Sequence, residues 1–365
     1  MTSREREVFF LIRENPMIAQ EEIARKLSIS RSAVSVHISS LLRQGALRGR
    51  GYVINEENYH VVIGVAGMDF RGTVEGEQSD SVSENIINYY GRISSVFGGA
   101  GFNISDYLSR IGENVRMIAS IGSDMFGKQI VDYCAEHRIN TDDCLYLPDT
   151  PQSIMLQLRD EKNDWRTSMV NYFSESRMTP QFFSERERML RNAGTIVITD
   201  IVTPESAKYL LSEHASSETW LVFSGVTSRI DRLRAMVPQA RHIYMNLRAA
   251  ARIADVSLEE GFAKIGEKLR RLGVQEAFVS CDNRLILHVT AQSCTGYPTL
   301  PHTRSDGERG KDAFVAGLIA TAGSGRTMAE RIRFASQTSI LGRASEPGGP
   351  TLSREAVEHA LSSAE

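Results

Sequence analysis

The segment with the clearest chemical potential runs from Asp306 to Ala322 and reads DGERGKDAFVAGLIATA. A polar, glycine-containing start precedes an apolar run, which predicts a loop that enters a buried helix with Asp312 in its first turn. Free backbone N–H groups and the helix dipole at such a point favour a phosphate or another anion. A carboxylate in this place can act as a general base beside the anion, or it can only cap the helix.

Two glycine-rich segments supply candidate ligand-binding residues. GVAGMDFRG follows a buried strand and contains Asp69, and FGGAGFNISDYLSRIG enters a helix and contains Gly98, Gly99 and Asn103. Glycines permit close approach of the backbone to a ligand, and hydroxyl-rich ligands need fixed hydrogen-bonding groups such as the Asp69 carboxylate and the Asn103 amide. Taken alone, a glycine cluster at a strand end often serves only tight packing of strand and helix.

Most of the chain alternates between strand-like and helix-like segments, which predicts an α/β fold with a mostly parallel sheet. The strand-like runs include residues 115–121, 195–199, 220–223 and 277–280. The stretches from FRGTVEG to ISSVFGG and QSIMLQLRDEKNDWRTSMVNY read differently, as short strands around charged turns. They predict a small sheet that lies over one edge of the main sheet.

These segments occur in a recognisable order. GVAGMDFRG, FGGAGFNISDYLSRIG, IGSDMFGKQI and DGERGKDAFVAGLIATA have the order and spacing found in the ribokinase-like (PfkB) family of sugar and nucleoside kinases. The resemblance covers about Val61 to Leu361, and some pseudouridine-kinase-like members of that family also carry an N-terminal winged helix. It implies a ribokinase-like αβα domain with a mostly parallel central sheet and a small β lid.

The same resemblance implies roles for single residues. Asp69 matches the acid that binds sugar hydroxyls in the family. Gly98, Gly99 and Asn103 match its substrate-binding residues. Asp312 matches its catalytic base, which takes the proton from the attacking hydroxyl.

The phosphate loop departs from the family's pattern. The family's loop usually reads Asp-Thr-Thr-Gly-Ala-Gly-Asp, whereas this chain has Arg309 and Lys311 in place of the two glycines, with Gly310 between them and Asp306 at the start. Glycine lets backbone amides crowd around a phosphate, so these cations alter the shape of the anion site while adding positive charge. We expect Lys311 to pair with a ligand phosphate. The alternative is that both cations point to solvent.

Other residues expected on the nucleotide side are also replaced. The family's Asn-x-x-Glu, which organises magnesium and phosphates, appears as Asn246 with Ala249 in place of the acid. Residues 280–282 read SCD where Thr-Leu-Gly is expected, and residues 224–225 read SG where an acid is expected. Phosphoryl transfer depends on positioning and charge neutralisation. ATP and magnesium are therefore implied only if the domain is an active kinase.

The first 54 residues differ in charge from the rest of the chain. They contain nine Lys and Arg against five Glu, whereas the remaining 311 residues carry a net charge of −7. Such a basic segment suits a nucleic-acid-binding module. Apolar spacing predicts three short helices, the third with Ser30 as N-cap and Gly45 as C-terminal stop, followed by an alternating strand.

This head, residues 1–54, resembles the winged helix-turn-helix domains of bacterial transcription regulators, most closely in EEIARKLSISRSAVSVHISSLLRQGALRGRGYVI. The resemblance implies double-stranded DNA as a partner and a homodimer that binds two half-sites. Helix-3 side chains would face the major groove, and wing arginines would face phosphates or the minor groove. The candidates are Arg31, Ser32 and Ser35 on the helix and Arg48 and Arg50 in the wing. A small helical dimerisation module is the alternative.

Composition bounds the remaining possibilities. Hydrophobic residues make up 41% of 365, enough for a large domain beside a small one. We expect a linker over residues 55–60 and a kinase-like domain over residues 61–365.

No run of about 18 apolar residues and no signal-peptide pattern appears, which predicts a cytoplasmic protein without a membrane segment. The four cysteines lack CxxC spacing, so we expect buried free thiols rather than a metal site.

Two functions from different classes follow. The first is a DNA-binding transcription regulator whose kinase-like domain binds a sugar, a nucleoside or a phosphorylated derivative as effector, with weak or no phosphoryl transfer. The second is an active ATP-dependent sugar or nucleoside kinase fused to a helix-turn-helix domain.

Overall fold

The structure is a computed structural model, and it describes residues 1–47, 59–83, 86–160, 166–171, 177–223, 227–281, 284–301, 307–344 and 351–363. Several sequence predictions lie outside the described residues. They concern the wing residues Arg48 and Arg50, residues 55–58 of the predicted linker, residues 224–225, Asp282 and Asp306. The last two residues of the predicted linker belong instead to the larger domain, since Tyr59 is buried and His60 begins its first strand.

The head contains the three predicted helices, which are α1 (Ser3–Glu14), α2 (Gln20–Leu27) and α3 (Arg31–Arg43). The N-cap prediction is confirmed, since the Ser30 side chain accepts a hydrogen bond from the Ala33 amide. The head has its own apolar core, separate from the rest of the chain, which contains Val8, Ile12, Ile18, Ile23, Val34, Ile38, Leu41 and Leu47.

A nine-stranded sheet forms the centre of the larger domain in the described part of the chain. Its strands, in spatial order, are β15 (Cys294–Pro298), β14 (Leu285–Thr290), β13 (Glu276–Cys281), β12 (His242–Asn246), β11 (Glu218–Val222), β10 (Thr195–Thr199), β1 (His60–Ile63), β4 (Val115–Ile118) and β6 (Ile139–Asn140). Strands β6, β4, β1, β10, β11, β12 and β13 are parallel to one another. Strands β14 and β15 extend the sheet antiparallel at one edge. The prediction of a mostly parallel sheet is confirmed.

The predicted small sheet is also present. It contains β3 (Ile86–Gly98), β2 (Gly67–Ser83), β8 (Ile154–Asp160) and β9 (Arg166–Asn171) in that spatial order. Strand β2 pairs antiparallel with β3 and parallel with β8. We call this sheet the lid. Two short strands, β5 (Ser120–Gly122) and β7 (Leu145–Leu147), form a separate parallel pair.

Helices cover both faces of the central sheet. They are α4 (Ala100–Arg110), α5 (Met125–Glu136), α6 (Pro180–Ser184), α7 (Glu187–Arg191), α8 (Pro204–Glu213), α9 (Thr227–Leu233), α10 (Leu247–Ala254), α11 (Gly261–Arg271), α12 (Gly307–Ala320), α13 (Met328–Ala344) and α14 (Arg354–Ser362). Alternation along β1 illustrates the layering, because Val61 and Ile63 join the core that includes α8, α10 and α11 while Val62 joins the core that includes α4, α12 and α13. None of the described helices is long and apolar enough to cross a bilayer.

Helix α12 begins earlier than the sequence predicts. It starts at Gly307, so Asp312 is its sixth residue and not part of its first turn. The substitutions supply a physical reason, since Arg309 and Lys311 are much better helix formers than the glycines that the family usually has there. The expected loop before Asp312 is helical in its last five residues.

Three of the four cysteines fit the expectation of buried free thiols. Burial raises the pKa of the Cys134 and Cys144 thiols to about 12, which makes both unreactive. Cys281 is also buried and free. Cys294 is exposed, because it begins β15 at the edge of the sheet, and the expectation is wrong for it.

Helix α7 lies where the head meets the larger domain. The Tyr59 hydroxyl donates to the Met189 carbonyl at 2.6 Å, which ties the start of the larger domain to this helix. Gly45, at the end of α3, lies against the side chains of Asn192 and Arg188. The head therefore contacts the larger domain at the end of α7.

Candidate ligand site and DNA-binding surface

Asp312 and Asn103 form a buried pair between α12 and α4. The Asn103 side-chain amide donates to Asp312 Oδ2 at 2.9 Å, and the two residues are 5% and 1% exposed. Asp312 lies inside the helix, so capping does not account for its place. A carboxylate that is held by an amide in a fixed orientation, away from bulk solvent, is suited to accept a proton from a ligand hydroxyl.

The Gly98–Gly99 turn carries the next part of the site. Gly98 lies against the Asp69 carboxylate so closely that a Cβ would collide with it. Gly99 has φ +91°, and a Cβ there would collide with the Val65 carbonyl. Both glycines therefore serve close packing within the protein, and their approach to a ligand stays a prediction.

The four substrate-side residues converge at this turn. Asp69 lies on β2, and the two glycines lie where β3 ends and α4 begins. Asn103 lies one helical turn further along α4, and its backbone N–H donates to the Gly99 carbonyl at 2.9 Å. Asp69 is only 6% exposed. Because Asn103 also holds Asp312, the structure brings the candidate hydroxyl-binding acid and the candidate base to the same turn.

Lys311 lies close to the candidate base. Its Nζ is 3.8 Å from Asp312 Oδ1, and its side chain is 14% exposed. It lines a small pocket of about 30 Å³ between the sheet and helices α12 and α13. The other lining residues are Tyr244, Ser280, Ile286, Thr299, Leu300, Gly310, Phe314, Ser336 and Ser339. The alternative that Lys311 points to solvent is wrong.

The early start of α12 changes which amides can bind an anion. Only the first four N–H groups of a helix lack a partner in the helix, and in α12 these lie around residues 307–310. The amides of Lys311 and Asp312 belong to the helical ladder. Gly310 is fixed by its own carbonyl, which accepts a hydrogen bond from the Ser339 hydroxyl at 2.7 Å. Of Arg309 only the backbone is described, and Asp306 lies outside the described residues.

Asn246 has a structural role at the nucleotide side. It caps α10, because its Oδ1 accepts a hydrogen bond from the Ala249 amide at 2.8 Å. Ala249 is fully buried, and it offers no oxygen where the family has a glutamate. Magnesium binds oxygen ligands, chiefly carboxylates, phosphates and water. These residues do not fit a magnesium–nucleotide complex in the way that the family's Asn-x-x-Glu does.

The candidate DNA-binding surface is the outer face of α3. Its exposed residues are Arg31, Ser32, Ser35, Val36, Ser39 and Arg43. Arg31 forms an ion pair with Glu21 of α2, with Nε 3.0 Å from Oε1, and both side chains remain more than half exposed. Small side chains on this face permit a helix to approach base edges closely, as a helix in the major groove must do.

Sequence reasoning missed Arg71 and Gln152. Arg71 Nη2 lies 3.4 Å from Asp69 Oδ2. Gln152 donates to the Ala66 carbonyl at 2.7 Å and accepts from the Gly122 amide, so it joins the segment before β2 to the end of β5. The period-2 alternation of β2 places Arg71 on the face of Asp69 and was the available signal for it.

Comparison with known proteins identifies both domains. The sequence pattern of the pfkB family of carbohydrate kinases matches residues 57–346. The chain belongs to this family. Residues 1–48 match the winged helix-turn-helix DNA-binding family, so the pfkB domain here follows a winged-helix head.

Relatives and solved structures agree with this assignment. YeiI of Escherichia coli (strain K12), an uncharacterized sugar kinase, is 27% identical over 372 aligned positions that cover 97% of this chain and 98% of YeiI. The pseudouridine kinase of the same organism is 22% identical over 77% of this chain and 89% of its own length. The structure of ribokinase from Giardia lamblia matches with a TM-score of 0.69 at 17% identity, covering 85% of this chain and 100% of that one, which shows the fold.

Proposed function

We propose that the protein is a DNA-binding regulator whose pfkB domain binds a sugar, a nucleoside or a phosphorylated derivative as effector, with weak or no phosphoryl transfer. The observation that carries this proposal is the position of Lys311. Its ammonium group lies beside Asp312 in the pocket on the nucleotide side, while the substrate-side residues Asp69 and Asn103 keep a buried, ordered arrangement.

The reason is physical. A phosphoryl group is transferred when nucleotide, metal and acceptor are held in line and the developing charge is neutralised. Here the amides of Lys311 and Asp312 are used within α12, and Ala249 supplies no metal ligand. Binding of the acceptor molecule requires none of these groups, so it can persist without transfer.

An active kinase is the second candidate. The Asn103–Asp312 pair favours it, because a buried carboxylate held by an amide beside a hydroxyl-binding site is the arrangement that a general base needs. The relatives named above, a sugar kinase and a pseudouridine kinase, support the same candidate. Under this proposal ATP and magnesium would be cofactors; under the regulator proposal neither is needed.

Isothermal titration of the full chain with ATP and magnesium separates the two candidates. The regulator proposal expects no binding in the micromolar range and no ADP release with ribose, fructose or pseudouridine as acceptor. Micromolar ATP binding together with turnover of one of these acceptors would contradict it and support the kinase. Thermal-shift measurements with the same compounds detect an effector, because a ligand that binds the folded state raises its stability.

We also propose that the head binds duplex DNA and that the protein acts as a homodimer in the cytoplasm. The proposed head ends at residue 54, and the proposed larger domain begins at residue 59. The apolar residues Ile93 and Met169 on the lid, 80% and 72% exposed, support association of two copies. Arg31→Ala is expected to weaken binding to a selected site by about 1–3 kcal/mol. Arg48→Ala or Arg50→Ala is expected to weaken binding to all sequences and lower the salt slope by about 1.

Gel shifts on a selected DNA site, with light scattering to measure mass, test these expectations. If none of the three arginine variants changes DNA binding, the head is a dimerisation module and the regulator proposal fails.

A further inference from the structure

The lid places a row of polar side chains beside Asp69. Along the parallel pairing of β2 and β8, Arg71 is opposite Gln157 and Thr73 is opposite Arg159. Side chains alternate along a strand, so Asp69, Arg71 and Thr73 share one face of the lid with these partners. We call this set the Asp69 face.

Contacts agree with this assignment. Arg71 reaches Asp69, and Arg159 Nε donates to Thr73 Oγ1 at 3.2 Å. The opposite face of the lid differs in character, since it carries Phe70, Ile93, Leu156, Leu158 and Met169. The lid is therefore largely apolar on one face, whereas the face that carries the candidate hydroxyl-binding acid holds the arginines Arg71, Arg92 and Arg159, together with apolar residues such as Met155 and Val170.

Arg71 uses little of its hydrogen-bonding capacity. A guanidinium has five N–H donors, and charge-assisted bonds to carboxylates are usually about 2.7–2.9 Å long. The contact of Arg71 with Asp69 is longer, at 3.4 Å. Its Nε is enclosed and has no hydrogen-bond partner among the described residues. The side chain is one-third exposed, so a ligand can reach it.

Arg159 is also available to a ligand. Within the described part of the chain its side chain bonds to the Thr73 hydroxyl, and no carboxylate lies within ion-pair distance of it. Arg92 on β3 differs, because it pairs with Glu75 at 2.7 Å and is 78% exposed. Two arginines with spare donors thus occupy adjacent rows of the Asp69 face.

We propose, building on the effector site assigned under the proposed function, that the natural ligand is an anionic sugar or sugar derivative. Its hydroxyls bind Asp69 and Asn103, and its phosphate or carboxylate group binds Arg71 and Arg159. Paired arginines recognise such groups because the planar guanidinium offers parallel donors to two oxygens.

The anionic group belongs to the end of the ligand that is remote from Asp312. Strand β2 leaves the body of the domain at Gly67, so Arg71 lies further out than Asp69, by about 7 Å at the usual rise per residue. Lys311 and Asp312 lie on α12, and the Asp312 carboxylate contacts Asn103 of α4. A phosphate at Arg71 is thus distinct from one bound at Lys311.

A purely structural role for Arg71, holding the Asp69 carboxylate in place, gives different results from ligand binding. If Arg71 only orients Asp69, its loss weakens neutral and anionic ligands equally. If it binds an anionic group, its loss weakens anionic ligands alone and removes the salt dependence of their binding.

The experiment compares matched ligands by isothermal titration on the full chain. Fructose 6-phosphate and fructose 1-phosphate are set against fructose, gluconate supplies a carboxylate, and pseudouridine is a neutral nucleoside. We expect one anionic sugar to bind at least about tenfold more tightly than its neutral counterpart. Arg71→Gln and Arg159→Gln should each remove most of this difference, whereas Arg92→Gln, on the same face of the lid, should leave it unchanged.

Each possible result of these titrations leads to a different conclusion. Tighter binding of the fructose phosphates identifies a phosphate ligand, and tighter binding of gluconate identifies a carboxylate ligand.

If fructose or pseudouridine binds as tightly as the anionic sugars, or if Arg71→Gln weakens the binding of neutral and anionic sugars equally, the inference is wrong while the effector proposal stands. If Lys311→Gly, and not Arg71→Gln, removes the preference for phosphate, the anion site is misplaced. If no compound binds in a manner that depends on Asp69, the effector proposal and the inference both fail.

Discussion

The two sides of the ligand site are built at the same edge of one α/β fold, but they differ in what fills them. On the side of β2, β3 and α4, glycines leave room for buried polar groups, and Asn103 holds Asp312. On the side of β12, β13 and α12, Lys311 enters the pocket and Ala249 fills the place of an acid. Under the proposed function, ligand binding and phosphoryl transfer would rest largely on separate residues, so that one could remain when the other is lost.

The largest expected effect is on the substrate side. Asp69→Ala should abolish the thermal stabilisation that a sugar or nucleoside ligand produces, because we propose that the buried carboxylate beside Gly98 binds the ligand hydroxyls. The unfolding temperature without ligand should change little. Glu75→Ala, on the same strand but paired with exposed Arg92, is the matched control. An unchanged ligand shift in Asp69→Ala would remove this site from consideration.

The next effect concerns Lys311. Under the regulator proposal, Lys311→Gly should lower affinity for a phosphate bound in the pocket beside Asp312, as distinct from one bound at Arg71, by about 1–3 kcal/mol, the value of one charge-assisted contact. Lys264→Gly on α11 is the control for the loss of helix propensity, since Lys264 is exposed and, among the described residues, forms an ion pair with Glu267 alone. Unchanged ligand affinity with increased ATP turnover would show a damaged kinase site and contradict the regulator.

A smaller gain of function tests the nucleotide side directly. Adding Ala249→Glu to Lys311→Gly restores the family's carboxylate and removes the cation, so magnesium-dependent ATP binding should rise above that of either single variant. The new carboxylate enters a fully buried position, so the unfolding temperature should fall. No gain in ATP affinity in a folded double variant would mean that further residues exclude the nucleotide.

The smallest effect is expected on the head. Glu21 holds Arg31 at 3.0 Å in an exposed pair, and such pairs are worth about 0–1 kcal/mol. Glu21→Gln should therefore strengthen DNA binding by a few-fold at low salt, because it frees Arg31 and removes a negative charge from the DNA-facing side. Weaker binding in a gel shift would mean that Glu21 positions Arg31 for the DNA.

The sequence was sufficient for features that depend on local chemistry. Ser30 is an N-cap, and Gly98 and Gly99 lie at a close approach, as their residue types indicate. The start of α12 could not be predicted from the family's loop, because the change of two glycines to Arg and Lys altered the local helix propensity. The contact of Lys311 with Asp312 depends on packing of α12 against the sheet, which no spacing rule reveals. Arg71 was missed because an arginine on a strand usually lies in solvent.

The contact of Gly45 with α7 has a consequence for how the two domains can diverge. A side chain there would be strained by the φ of +76° and would displace the end of the Asn192 side chain. Position 45 therefore shapes the contact between the head and the larger domain. A mutation there would alter how the head seats on the larger domain, while the interior of each domain stayed as it is.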